Sequence, residues 1–493
     1  MPSRDGKLTH EIDPSDRGPQ DACGVLGVWA PGEAVAKLAY FGTYALQHRG
    51  QESAGIAVGD GHQIVVVKDM GLIAQVFDEA TLASLTGHVA VGHCRYSTTG
   101  SSVWANAQPT FRPTGAGGLA LAHNGNLTNT GELVDRARRV LADEVLFPVL
   151  DEESSTDTGV LTELLARGDD VVEAAVELLP DVRGAYSLVF MDENTLYAAR
   201  DPQGVRPLSL GRLDGGGWVV ASETCALDIL GAAFVRDVEP GEVLAIDENG
   251  PRSRRFAEPE PKGCVFEYVY LARPDSVIAG RSVHATRVAI GQRLAKEAPA
   301  DADLVIPTPE SGTPAAIGYA QESGIPYGQG LTKNSYVGRT FIQPSQTIRQ
   351  LGIRLKLNPL REAIAGKRLV VVDDSIVRGN TQRAIVRMLR EAGAAEVHVR
   401  IASPPVRWPC FYGIDFASRS ELIGADMSVE EIGTSLGADS LGYISLDGLV
   451  DATTVPGERL CRACFDGHYP IPLPDESRRG KHLLETEPAG VAR

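Results

Sequence analysis

Residues 370–381 read Val-Val-Val-Asp-Asp-Ser-Ile-Val-Arg-Gly-Asn-Thr, and no other stretch of the chain constrains its fold as tightly. The β-branched run predicts a buried strand that stops at the adjacent carboxylates Asp373 and Asp374. Ser375, Gly379, Asn380 and Thr381 then offer small side chains and free backbone N–H donors. Ile385, Met388 and Leu389 at helical spacing predict an amphipathic helix that ends at Gly393. A strand, a tight turn and a helix N-terminus make an anion site, because unpaired amides and the helix dipole both favour phosphate. Carboxylates beside such a site suit a ribose diol, or the Mg2+ carried by a phosphorylated sugar. Taken alone, the same residues also read as an ordinary βα turn with solvated acids.

The bulk properties narrow the setting. A chain of 493 residues has room for two domains of about 200 residues plus tails. The formal net charge, 47 − 64 = −17, argues against a nucleic-acid-binding surface and against an anionic membrane partner. No apolar run reaches the roughly 18 residues of a spanning helix. Residues 1–22 are polar and lack the apolar core of a secretory signal. Seven cysteines, odd in number and widely scattered, favour thiol or metal chemistry in a reducing cytoplasm over a disulfide framework.

From Cys23 to about Ile246, short apolar runs such as 63–67, 89–91, 119–121, 186–190 and 218–220 alternate with turns. Helical patterns interrupt them near 35–46, 131–141, 158–165 and 171–179, which predicts a layered α+β domain with largely antiparallel sheets. The segment Ala257-Glu-Pro-Glu-Pro-Lys-Gly263 reads as a seam. Beyond it, strands near 304–306, 369–372 and 397–401 alternate with helices near 314–322 and 382–392, as in an α/β domain with a mostly parallel sheet. The boundaries expected are 1–22 as a leader, 23–256, 257–450, and a tail over 451–493 that turns polar from Asp475.

Cys23 lies in Asp-Ala-Cys-Gly-Val-Leu-Gly, directly after the polar leader. Were the leader removed, Cys23 would own the α-amino group, whose pKa of roughly 7.7–8.0 makes it a usable base for its own thiol. The competing reading is a small buried cysteine on a first strand. Arg49 sits in a glycine turn after a helix, Arg95 ends an apolar run, and His123-Asn-Gly-Asn126 follows another. The Asn-Gly pair is either a hairpin turn or an oxyanion hole built from the Asn124 amide and the Gly125 N–H.

With these residues in place, the first half resembles the class II glutamine amidotransferase domain, an N-terminal-nucleophile hydrolase of layered α/β/β/α type. The resemblance implies that Cys23 attacks the glutamine side-chain amide, with Asn124 and Gly125 holding the oxyanion. It further implies Arg95 on the substrate carboxylate and Asp157 on its ammonium, a match of guanidinium to carboxylate and carboxylate to ammonium. Arg49 would help to close or order the site.

Residues 370–381 resemble the phosphoribosyl-pyrophosphate loop of type I phosphoribosyltransferases. By position, Asp373 and Asp374 would face the ribose hydroxyls and Mg2+, and Ser375, Ile376, Val377, Arg378, Gly379, Asn380 and Thr381 would wrap the 5′-phosphate. Asn380 departs from the family's more usual threonine but keeps a donor for a phosphate oxygen. Ser311, in a loop after a strand, would complete the metal or pyrophosphate site, although it reads equally as a helix N-cap. Lys333, Arg339, Arg349, Arg354 and Lys356 form a cationic segment over 332–361, expected as a lid that neutralises pyrophosphate.

The two halves together resemble the amidophosphoribosyltransferase family over nearly the whole chain from Cys23 to about Asp466. Stretches 265–276, 336–341 and 409–415 carry the likeness further. The implied reaction is glutamine hydrolysis at Cys23, with passage of ammonia past residues 268–273 to phosphoribosyl pyrophosphate. A hexose-phosphate acceptor does not account for the loop at 373–381. A regulator that senses phosphoribosyl pyrophosphate lacks a basic DNA-reading helix here. The Cys461-Arg-Ala-Cys464 pair with Cys264 and Cys410 is compatible with zinc or an iron–sulfur cubane on ligand identity. The resemblance implies the branch with a [4Fe–4S] cluster on these four cysteines and a cleaved leader, leaving Cys94 and Cys225 as structural thiols. It also implies a cytoplasmic homotetramer inhibited by purine nucleotides.

Overall fold

The computed structural model describes residues 22–96, 100–115, 117–140, 156–334, 357–414 and 419–473. The first half is built from two antiparallel sheets stacked face to face. One has seven strands in the order Ala233–Asp237, Ser209–Arg212, Trp218–Ala221, Gly24–Trp29, Val89–Arg95, Ser53–Gly59 and Ile64–Met70. The other has six, with Gly118–Leu127 and Gly184–Met191 among its inner strands.

The pleat explains why the inner strands are apolar on both faces. Along Gly24–Trp29, Leu26 and Val28 face the helix Val35–Ala45, while Val25 and Trp29 enter the layer between the sheets. Ala120, Ala122 and Val189 meet them from the second sheet. Leu119, Leu121 and Leu188 turn outward against the helices Asp157–Leu165 and Val171–Leu178. Helix, sheet, sheet, helix is the layering expected.

Register then fixes the site. Gly24 lies opposite Cys94 and Ser53 opposite Arg95, so Cys23 emerges beside Arg95 and Tyr96. Asn124 and Gly125 lie within a strand, opposite Ser187 and Tyr186. They are not a hairpin turn, and the φ of +149° at Gly125 marks a local twist in that strand.

The second half holds a four-stranded parallel sheet in the order Leu304–Pro307, Arg368–Asp373, Glu396–Ile401 and Ser440–Tyr443. The strand Arg368–Asp373 is central and its residues 369–373 are buried, as its Leu-Val-Val-Val run requires. It leads through a turn into the helix Asn380–Glu391, with Gly379 at φ +78° as its N-cap. The helices Val283–Glu297 and Thr313–Ser323 pack closely, with Gly291 against Ala315 and Gly318 against Val288.

Residues after 450 return to the seam, because Leu460–Cys461 pairs in parallel with Gly263–Cys264. Cys464, Phe465 and Ile471 share a core with Val265, Phe266 and Tyr268. Backbone pairing between segments so distant in sequence leaves no local pattern to read. The polar stretch from Asp475 lies outside the described residues, as does most of the segment 332–361, including Arg339, Arg349, Arg354 and Lys356. Among the described residues, no helix is long and apolar enough to cross a membrane.

Candidate active sites

One pocket is lined by Cys23, Arg95, Tyr96, Gln108, His123, Gly125, Thr156, Asp157 and Thr158. The Cys23 thiol donates to the Tyr96 carbonyl at 3.1 Å, and the Tyr96 N–H points back at Sγ from 3.3 Å. Burial pushes this thiol up to about 11, partly offset by the Tyr96 hydrogen bond and Arg95. It therefore needs a base before it can act as a nucleophile at neutral pH. Arg95 is 2% exposed, donates to the Ser101 carbonyl at 3.2 Å and lies 3.9 Å from Glu52. Asp157 accepts from the N–H groups of Leu127 and Thr158, which fixes its carboxylate on the opposite wall.

Asn124 is fully buried behind the lining, with Nδ2 at 3.5 Å from Ser222 Oγ and no partner on Oδ1. Gln108, which sequence reasoning missed, also lines the pocket. Its Oε1 accepts from the His123 N–H at 2.8 Å and its Nε2 donates to Thr158 Oγ1 at 3.1 Å. No local signal marks it, since all its partners are distant in sequence. A thiol, a guanidinium and a carboxylate around one pocket suit a zwitterionic amino acid with an electrophilic carbon near the thiol.

Arg49 is not brought to this pocket. It is 1% exposed and bonds Glu223, with Glu267 Oε2 accepting from Nη2 at 2.7 Å. Arg206 reaches the same Glu267 at 3.1 Å and donates twice to the Tyr412 carbonyl. These arginines join the first half to the turn Glu267–Leu271 and to the loop around Tyr412. The helix Val283–Glu297 adds Arg287, which donates to the Tyr268 and Ala272 carbonyls at 2.8 Å each.

The second site surrounds Asp373 and Asp374, which are 6% and 7% exposed. Burial first, then the neighbouring Asp374 carboxylate, pushes Asp373 well above the usual carboxylate range. Burial also raises Asp374, opposed by hydrogen bonds from Ser311 and Ser375 and by the Arg287 charge. Ser311 is not a helix cap, because the helix begins at Thr313 with Gly312 as its N-cap. Gln382, also missed, donates to Asp373. A signal was present, since Gln382 falls on the buried stripe of its helix with Ile385, Val386 and Leu389. Arg378 pairs with Glu421 at 3.0 Å, and Asn380 Oδ1 accepts from Arg383 at 3.2 Å. Ile376 and Val377 are buried members of the loop, and Lys333 pairs with Glu310 at 3.4 Å.

The residues present fit both implied metal groups by donor chemistry. Among the described residues, no three or more His, Cys, Asp or Glu side chains are poised together as metal ligands. Oxygen donors of Asp373, Asp374 and Ser311 nevertheless suit a hard divalent cation. The four cysteines also gather. Cys264 pairs with Cys461, the Tyr412 N–H meets Cys410 Sγ at 3.3 Å, and the Arg407 and Trp408 N–H groups donate to the Cys464 carbonyl. Burial, then the charges of Cys264, Cys410 and Cys461, push the Cys464 thiol far up. Cys264, Cys461 and Cys464 are buried and Cys410 is half-buried, and four sulfur donors are the chemistry that would suit an iron–sulfur centre. Cys94 and Cys225 sit instead in the core between the first sheet and its helices.

A thiol pocket for an amino-acid amide and a strand–turn–helix site for a phosphosugar, in one chain, define a glutamine-dependent amidotransferase with a phosphoribosyl acceptor. Residues 93–228 match the glutamine amidotransferase domain and residues 281–403 the phosphoribosyl transferase domain. The chain is 69% identical to the amidophosphoribosyltransferase of Mycobacterium tuberculosis strain H37Rv, over 96% of this chain and 91% of that protein. It is 53% identical to that of Synechococcus elongatus, over 95% of each chain. The solved glutamine phosphoribosylpyrophosphate amidotransferase from B. subtilis, complexed with ADP and GMP, superposes with a TM-score of 0.85 at 45% identity, covering 92% of this chain and 98% of that one. The chain belongs to the amidophosphoribosyltransferase family and catalyses the first step of purine biosynthesis.

Proposed function

We propose that Cys23 becomes the N-terminal residue on removal of residues 1–22 and hydrolyses glutamine with its own α-amine as base. The convergence of Cys23, Arg95, Asp157 and Gly125 on one pocket carries this reading. Arg95 binds the glutamine α-carboxylate and Asp157 the α-ammonium, which places the side-chain amide at Sγ. Attack forms a tetrahedral oxyanion on Asn124 Nδ2 and the Gly125 N–H. Its collapse expels ammonia and leaves a thioester, which water cleaves to glutamate.

Ammonia then travels past residues 268–273, where Tyr268, Val269 and Leu271 are buried. In bulk water near neutrality it would be protonated and inert. At the second site ammonia displaces pyrophosphate from the anomeric carbon of phosphoribosyl pyrophosphate, giving 5-phosphoribosylamine. Residues 375–381 hold the 5′-phosphate, and Lys333 with Arg339 meets the pyrophosphate. Asp373, Asp374 and Ser311 would hold Mg2+, which supplies charge neutralisation for the leaving group. Cys264, Cys410, Cys461 and Cys464 would hold a [4Fe–4S] cluster that staples the chain end to the seam. The enzyme works as a cytoplasmic homotetramer subject to inhibition by purine nucleotides, in keeping with the nucleotide complex of the B. subtilis relative.

Intact-mass measurement of fully active enzyme tests the central step. A mass that begins at Cys23 is expected, whereas Met1 or Pro2 on fully active enzyme contradicts it.

A further inference from the structure

The glutaminase pocket is backed by a loop from the other domain. Gly413, at φ +103°, approaches so closely that a Cβ there would lie 3.0 Å from both the carbonyl carbon and Cα of Gly125. On its opposite side Gly125 meets the Ala185 backbone, where a Cβ would fall 1.9 Å from the carbonyl oxygen. The Cα and carbonyl of Gly125 are therefore held between its own sheet and the loop 409–413, and the N–H on the same Cα takes its direction from them. Two side chains of the first domain hold the loop in place. Asn126 Nδ2 donates to the Phe411 carbonyl at 3.1 Å, and Arg206 donates to the Tyr412 carbonyl at 2.7 and 2.9 Å. Arg206 is itself fixed by Glu267, so the clamp is rigid on both sides.

We infer that Gly413 and Asn126 are positioning residues for glutamine hydrolysis, acting through the Gly125 N–H rather than on substrate. This rests on Gly125 being an oxyanion donor. Such a donor must meet the oxyanion where it forms, and a displacement of about 1 Å costs rate out of proportion to binding. Glutamine binding is assigned to Arg95 and Asp157 rather than to this loop, so the ground-state complex is expected to change little.

The test compares Gly413→Ala, Asn126→Ala and Asn124→Ala in the full, processed, cysteine-site-intact enzyme, with glutamine or ammonium as nitrogen donor. Both positioning variants are expected to lose about tenfold in kcat with glutamine, with KM for glutamine within about twofold of the parent. Their ammonia-dependent rates and visible absorbance stay at the parent's level. Asn126→Ala removes the bond to the Phe411 carbonyl and leaves Arg206 on the loop, so it decides the matter should Gly413→Ala fail to fold. Full glutamine-dependent kcat in Asn126→Ala, an increase in KM alone, or equal loss with both donors overturns the inference. If Asn124→Ala keeps its kcat, the oxyanion reading itself falls. If Asn124→Ala loses kcat and the positioning variants do not, only the clamp falls.

Discussion

Glu223 shows how a single buried side chain ties the first domain to the seam. It has no exposure, yet it accepts from Arg49, from His48 at 2.6 Å, from the Arg273 N–H at 2.8 Å and from Ser276 Oγ at 2.6 Å. Burial alone would raise its pKa, but the Arg49 guanidinium, followed by His48, holds it well below the usual carboxylate range. An acid depressed on folding contributes stability that is present above its unfolded value, about 4.3, and that fades as pH falls towards the folded value. Glu223→Gln should therefore cost about 3–5 kcal/mol near neutrality, because Arg49 loses a buried partner. It should also flatten the decline of thermal stability below about pH 4. Melting curves against pH check this, and a parent-like melting temperature at every pH would refute it. Glu223, Glu267, Arg206 and Gln108 were invisible in the sequence because each acts through partners far along the chain. Cys23, Asp373 and Asp374 were legible because their chemistry is written in contiguous motifs, whereas Arg49 sat in an equally suggestive turn and faces the seam.

Elements were easier to read than contacts between them. The strand Arg368–Asp373 and the helix Asn380–Glu391 follow from a β-branched run and a 3.6-residue period, which need no tertiary information. The turn Glu267–Leu271 is different, since it is bonded by Arg287 of its own domain and, through Glu267, by Arg49 of the first. The close approach of the helices Val283–Glu297 and Thr313–Ser323 was equally hidden. A Cβ at Gly318 would stand 1.9 Å from the Val288 carbonyl oxygen. Alanine gains about 1 kcal/mol in helix propensity over glycine, but overpacking against backbone costs about 1–3 kcal/mol and prevails here. Gly318→Ala is thus expected to lower the urea midpoint. The same helix starts beside Ser311, so KM for phosphoribosyl pyrophosphate with ammonia as donor should rise several-fold. An unchanged midpoint together with an unchanged KM would show that the helices have slack.

At the scale of the whole molecule, two chemistries that share no residues are held by one charge-matched seam. Arg49 and Arg206 from the first domain face Glu267 from the second, and the chain end returns to the seam through Leu460–Cys461. The order of domains was readable from the switch between antiparallel and parallel patterning. The return of the chain end was not, because two-residue parallel pairing carries no periodicity. The central claim is that Cys23 serves only to release ammonia, which the second site uses from any source. Formation of phosphoribosylamine by Cys23→Ala, with glutamine or with ammonium, tests it most directly. The account predicts no glutamine-dependent product and an ammonia-dependent rate within about twofold of the parent. Glutamine-dependent product from folded Cys23→Ala, or loss of both activities together, would contradict it.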